Sequence, residues 1–189
     1  MRLGQLREKL GDRVSVEWKA FLLRSEPRER PMAAFTEYTS SWGRPASMEP
    51  GAVFRFPWSG EHRPPSHSIP SAVAAKAVEA VDPERAGDFR RELFDAYFRR
   101  NLTISDPEVL GELAAAAGVD TDRFAEALDR RHAEFESQVM ADHAEAVSIG
   151  VTGVPAVLMA DRFIIPGAVE TSLYERLVAK FAGGAQGGV

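Results

Sequence analysis

Residues that could carry chemistry are few and scattered, and no cysteine is among them. Without a thiol, the 189 residues hold no disulfide and no thiolate metal site. The four histidines are His62, His67, His132 and His143. Their spacing fits no metal motif: His132 and His143 share one helical run, and no third ligand is placed beside them, so no metal is expected. Ser66 and Ser68 flank His67, but no G-x-S-x-G sequence and no base-and-acid pattern completes a nucleophile. Neither a phosphate loop nor a dinucleotide fingerprint occurs, and no cofactor is expected. His67 reads most simply as a solvated loop histidine; the functional reading turns it toward a groove.

What remains is the stretch from Gly150 to Gly167, Gly-Val-Thr-Gly-Val-Pro-Ala-Val-Leu-Met-Ala-Asp-Arg-Phe-Ile-Ile-Pro-Gly. Two apolar runs, Ala156 to Met159 and Phe163 to Ile165, are separated by a break at Asp161 and Arg162. That pattern predicts an antiparallel hairpin on a two-residue turn. Pro155 opens the first run. On residue types alone it is either a trans proline at a strand edge or a proline present for a cis bond.

The elements that must position this stretch follow from periodicity. Leu3, Leu6 and Leu10 share one face of a short opening helix, and Gly11 is its stop. Val14, Val16, Trp18, Ala20 and Leu22 alternate with polar residues, which predicts a strand over 14–22. Arg24 to Pro31 reads as a charged loop. Residues 32–68 are irregular, with a short helix over Met32 to Trp42 that turns Phe35 and Tyr38 inward. Phe54, Phe56 and Trp58 alternate in an extended segment, and this aromatic region covers a core or walls a substrate site.

From 69 onward the pattern is helical. Ala72, Val73, Ala77, Val78 and Val81 form one apolar face. Asp82-Pro83 signals the start of a second helix, with Phe89, Leu93, Phe94, Tyr97 and Phe98 as its core stripe. Ser105-Asp106-Pro107-Glu108 starts a third, either as a capping box or with Asp106 capping ahead of Pro107. Asp120 or Thr121 opens a fourth. A longer helix runs through Phe135, Val139, Ala146 and Val147 to Gly150. Leu173, Tyr174, Leu177, Val178 and Phe181 mark a final amphipathic helix, and a flexible tail is expected over 183–189.

Gly-Val-Thr-Gly-Val-Pro followed by strand, turn, strand, Pro-Gly-Ala and helix resembles the C-terminal half of DsbA-like thioredoxin-fold proteins of the FrnE type. Val-Glu-Trp-Lys-Ala-Phe-Leu-Leu-Arg resembles that family's second core strand, and Asn101 to Leu110 is also similar. The resemblance runs from about Val14 to Phe181. It implies an α/β thioredoxin-like fold with an inserted all-α domain and the first core strand missing. The expected division is 1–31 with 150–182 as the thioredoxin-like part, 32–68 as a connecting segment and 69–149 as the helical insertion. It also implies a cis Val154–Pro155 bond that lies, in the family, against a C-x-x-C redox pair.

That pair is absent, so no catalytic residue is assigned. Reversible dithiol exchange needs a thiolate, and these residues alone are expected to be redox-inactive. The favoured expectation is a thiol–disulfide oxidoreductase whose redox motif lies upstream of Met1, which translation of the preceding DNA would test. An alternative is a redox-dead module that holds peptides like a chaperone. Another is a glutathione-binding isomerase or transferase of the kappa-like branch, although that branch's serine or cysteine at the start of the first helix has no counterpart here. The expected substrate-binding residues are Thr152, Gly153, Val154 and Pro155, with His67. The partner is an extended peptide or a thiol/disulfide protein, and a homodimer is compatible.

A formal charge of −5 with no basic stripe argues against nucleic acid. No apolar run approaches the roughly 20 residues of a membrane span, and the charged opening residues do not resemble a signal peptide. The expected location is the cytoplasm.

Overall fold

The computed structural model describes residues 2–48, 51–59 and 62–184. It contains helices α1 (Arg2–Leu10), α2 (Met32–Ser40), α3 (Gly43–Met48), α4 (Ile69–Val81), α5 (Ala86–Asp95), α6 (Pro107–Ala116), α7 (Thr121–Ser148) and α8 (Thr171–Gly184), and strands β1 (Ala156–Met159) and β2 (Phe163–Pro166). These fall into two compact units, residues 1–21 with 143–189 and residues 22–142.

In the first unit, β1 and β2 pair antiparallel, with Val157 opposite Ile165 and Met159 opposite Phe163. One face of this hairpin is covered. Ile165 packs with Leu6 of α1 and Tyr174 of α8, and Leu3, Leu10, Val157, Met159, Val169 and Leu177 close around them. Polar contacts fasten the same two helices: Lys9 Nζ lies 2.7 Å from Glu175, and the Thr171 hydroxyl donates to Gln5 at 3.3 Å. The turn holds three residues, Ala160 to Arg162, where the sequence predicted two. Ala160 and Asp161 both adopt positive φ, 51° and 53°. Nothing in the side chain of an alanine announces that conformation.

The strand predicted over 14–22 does not form. Val14 is extended (φ −133°, ψ 133°), and Val14, Val16 and Ala20 are more buried than Ser15 and Glu17. Yet the sheet among the described residues contains only β1 and β2. A strand is defined by a hydrogen-bonded neighbour, and alternation reports only burial. Lys19 reaches Glu145 at 3.4 Å, and Phe21 sets its ring edge-on to His143 at 4.9 Å.

The second unit is helical and has an aromatic centre. Phe35, Trp42 and Trp58 are buried together, with Phe54, Tyr97 and Phe98 against them. Thr39 locks this cluster: its hydroxyl donates to the Phe35 carbonyl at 2.9 Å and accepts the Trp58 N–H at 2.8 Å. Tyr38, expected inward with Phe35, is instead 52% exposed. Phe56 likewise points outward at 41%, and no strand forms around it. The Phe56–Pro57 bond is cis.

Asp106 Oδ1 accepts the Glu108 N–H at 3.0 Å ahead of Pro107, which selects the Asp106 cap over the capping box. Asp120 Oδ1 accepts from Asp122 and Arg123 at 3.1 and 3.0 Å. Asp82-Pro83 does not begin a helix; it begins a turn, closed by Arg85 N–H to Asp82 O at 3.1 Å, and α5 starts at Ala86. The core stripe of α5 runs into a π-helical turn, Ala96–Arg100, that ends at left-handed Asn101. Phe94, expected in the stripe, is 56% exposed and stacks on Phe98 with ring centroids 6.2 Å apart. The two helices expected between 120 and 149 meet at a kink inside α7, where Arg131 leaves helical geometry (φ −125°, ψ 16°). Of the expected tail, Gly183 and Gly184 complete α8, and 185–189 lie outside the described residues.

Candidate functional site

The loop from Gly150 to Pro155 is set by how α7 stops. Gly150 adopts φ +92°, a conformation that glycine reaches without penalty. Val151 N–H donates to Ala146 O at 2.9 Å and Gly150 N–H to Val147 O at 3.0 Å. That pair of bonds is a Schellman cap, which reverses the chain on leaving the helix. Thr152, Val154 and Pro155 then lie exposed and Gly153 half-buried, with Val154 at 50% exposure. The Val154–Pro155 peptide is cis.

The parity of the ladder decides which main-chain groups are free. Gly167 N–H donates to Pro155 O at 2.8 Å, so Pro155 and Gly167 are a hydrogen-bonded pair. Pairs alternate in an antiparallel ladder. Val157–Ile165 and Met159–Phe163 therefore exchange bonds across the hairpin, and Ala156 and Leu158 direct their N–H and C=O groups to the opposite edge. No strand occupies that edge among the described residues. The Leu158 side chain, on the face away from Ile165, is 41% exposed. An unpaired edge beside half-exposed apolar side chains is a surface that accepts extended polypeptide.

His67 belongs to the other unit. Its Nδ1 lies 2.8 Å from Ser66 Oγ, and Ser66 N–H donates to Ser105 Oγ at 3.1 Å. Burial lowers the His67 pKa, and the Glu136 charge partly opposes that shift. Ser66 and His67 thus order a loop, with no carboxylate hydrogen-bonded to the imidazole among the described residues. His132 pairs with Glu136 at 3.7 Å and His143 faces Phe21. No group of three or more His, Cys, Asp or Glu gathers as a metal site among the described residues. Sequence reasoning passed over Arg24, Arg28 and Arg30, which line one pocket with Phe35; three arginines within seven residues were the available signal.

Comparison with known proteins agrees with this architecture. The chain is 26% identical to the uncharacterized Bacillus subtilis protein YwbO over 176 residues, covering 89% of this chain and 83% of that protein. A candidate protein disulfide isomerase from Nitrosomonas europaea superposes with a TM-score of 0.77 at 16% identity, covering 99% of this chain and 90% of that one. The cytosolic disulfide reductase DsbM from Pseudomonas aeruginosa superposes at 0.67 with 18% identity, covering 98% and 90%. These structures share the fold. The model of the DSBA-like thioredoxin domain matches residues 1–179, and with helix, Schellman cap, proline loop and hairpin in that order, the chain belongs to this family of thiol–disulfide oxidoreductases.

Proposed function

We propose that these residues hold extended substrates of thiol–disulfide exchange along the outer edge of β1, beside Val154 and Pro155. Family membership supplies the reaction class. The observation that carries the holding role is the outer edge of β1: Ala156 and Leu158 turn their main-chain donors and acceptors away from β2, no strand pairs with them among the described residues, and Val154 beside them is exposed. Main-chain pairing gives affinity with little sequence preference, which suits a protein that meets many unfolded clients. Thr152 and Gly153 lead into this edge. Space beside Gly153 is open, since a Cβ there would meet nothing within 4 Å.

With no cysteine among the 189 residues, this part contributes binding and the thiolate must come from elsewhere, either the client or another segment. A cytosolic location belongs to the same proposal, supported by the likeness to a cytosolic disulfide reductase. A second copy of the chain could take the client's place at the edge and form a homodimer.

The test is fluorescence anisotropy with a labelled, cysteine-free unfolded peptide. Saturable binding that weakens several-fold in Pro155→Ala supports the proposal. No binding, or binding indifferent to that change, overturns it. An insulin-reduction assay on the same preparation should give no turnover, and measurable turnover would sink the redox-inactive part. Sedimentation velocity separates peptide capture from self-association.

A further inference from the structure

The charged loop of the second unit forms a pocket that uses no residue of the β1 edge. Arg24, Arg28 and Arg30 line it with Glu29 and Phe35, around an open space of about 380 Å³. Main-chain bonds to a second segment hold the loop in place: Ser68 N–H donates to Arg24 O at 2.9 Å and Arg28 N–H to Ser66 O at 3.4 Å. The Arg30 guanidinium lies over the rings of Phe35 and Tyr38, 4.5 and 5.2 Å from their centroids. Stacking fixes the plane of that group and leaves its in-plane donors available. Arg24 Nη1 is buried and has no hydrogen-bond acceptor among the described residues. The same guanidinium works against the upward push that burial gives the Tyr97 phenol, which places its charge against the aromatic cluster. Three cations therefore meet one carboxylate, Glu29, on a chain whose overall charge is −5.

We propose that this pocket binds a small molecule through a carboxylate or phosphate group, gripped by Arg24 and Arg28 with Arg30 as a fixed third donor. The guanidinium fork matches both groups in a bidentate manner. All three positions are arginine, where lysine would give only a point charge. A volume of about 380 Å³ fits a small ligand and is too small for a folded partner. Arg24 lines the pocket, and its guanidinium has an acceptor-free donor, Nη1, among the described residues, so its donors are not committed to a protein acceptor there.

Isothermal titration calorimetry of the whole chain tests this, with inorganic phosphate in one arm and citrate in the other. Sodium chloride holds the ionic strength constant. The expected result is one saturable site for at least one of the two anions, and whichever binds more tightly identifies the chemistry. Arg28→Gln should weaken binding at least fivefold and Arg24→Gln about tenfold, while Glu29→Gln should tighten it. Arg91→Gln, outside the pocket, should change nothing. Circular dichroism checks each fold; if Arg24→Gln does not fold, Arg28→Gln and Glu29→Gln decide. No heat from either anion, equal affinity across the variants, or equal displacement by chloride overturns the proposal. Peptide capture at the β1 edge can fail independently of this result.

Discussion

Proline substitution at adjacent positions of β1 separates its two edges. Val157 donates its N–H to β2, and Leu158 sends its N–H outward, by the parity set at the Pro155–Gly167 bond. Val157→Pro removes a ladder bond, forces the ring into the hairpin and deletes part of a packed side chain. It should cost about 3 kcal/mol or more. Leu158→Pro leaves the ladder intact. Its main cost is lost burial: Leu158 is 41% exposed, so somewhat over half of a leucine's burial energy of about 2 kcal/mol is at stake, and proline recovers some of it. About 1 kcal/mol is expected. Urea unfolding of the two variants should therefore differ by about 2 kcal/mol, although the substitutions are one residue apart. Peptide anisotropy should move the other way: Leu158→Pro, folded, should bind about three- to tenfold more weakly, the loss of one net hydrogen bond with its neighbour disturbed. Equal destabilisation by both prolines would refute the assigned parity, and unaltered peptide binding by Leu158→Pro would refute the edge as the site.

Three further outcomes concern the loop, the aromatic cluster and His67. Gly150→Ala should lower stability by about 1 kcal/mol in urea unfolding, purely from φ +92°, because a Cβ there meets nothing within 4 Å. Phe35→Ala should cost about 3–5 kcal/mol, since Phe35 is 1% exposed, and Tyr38→Ala, at 52%, should cost no more than about 1 kcal/mol. The His67 pKa lies lower folded than unfolded, so the unfolded chain binds the proton first as pH falls. Its contribution is constant above the unfolded value near 6.5 and declines as pH drops through that value toward the folded one. The melting temperature should fall more steeply below pH 6.5 in the native protein than in His67→Gln, and parallel profiles would contradict this.

Local signals were legible because their partners lie within a few residues. Asp106 and Asp120 cap their own helices, and Gly118 and Gly150 adopt the positive φ expected at helix ends. The Gly150-to-Pro155 motif, with the strands, turn and helix that follow it and the segment Asn101 to Leu110, pointed to the family. What failed depended on distant partners. Alternation over 14–22 ranked burial at Val14, Val16, Ala20 and Leu22 but failed at Trp18, which is 40% exposed, and it could not reveal whether a neighbouring strand was present. The spacing of Phe35 and Tyr38 gave one helical face. Only the packing of Trp58 against Phe35, at 5.0 Å between centroids, and of Arg30 over both rings shows where that face meets solvent. The helix Gly43–Met48 lay inside the stretch read as irregular, although Pro45 sits in its first turn, where a missing N–H is harmless. The arginine pocket was hidden for the same reason as the strand: its wall includes a ring from α2, and its loop is braced by Ser66 and Ser68.

The edge that was read as a site also limits its own strength. Pro155 has no N–H, and Asp161 with Arg162 closes the other end, so an added strand can pair along only Ala156 and Leu158. Each offers one donor and one acceptor. At about 1 kcal/mol net per bond, complete pairing supplies at most about 4 kcal/mol, and since association itself costs free energy, the dissociation constant is no tighter than about 1 mM. Contacts with Val154 and Leu158 can add to this, since both are about half exposed, and burying them would strengthen binding by a further 1–2 kcal/mol in rough terms. Peptides without apolar residues should therefore bind no tighter than millimolar, and those placing a leucine or phenylalanine against Leu158 about tenfold more tightly. Competition anisotropy with two such peptides measures the difference. A nanomolar dissociation constant for the polar peptide would show that the main-chain edge is not what holds the client.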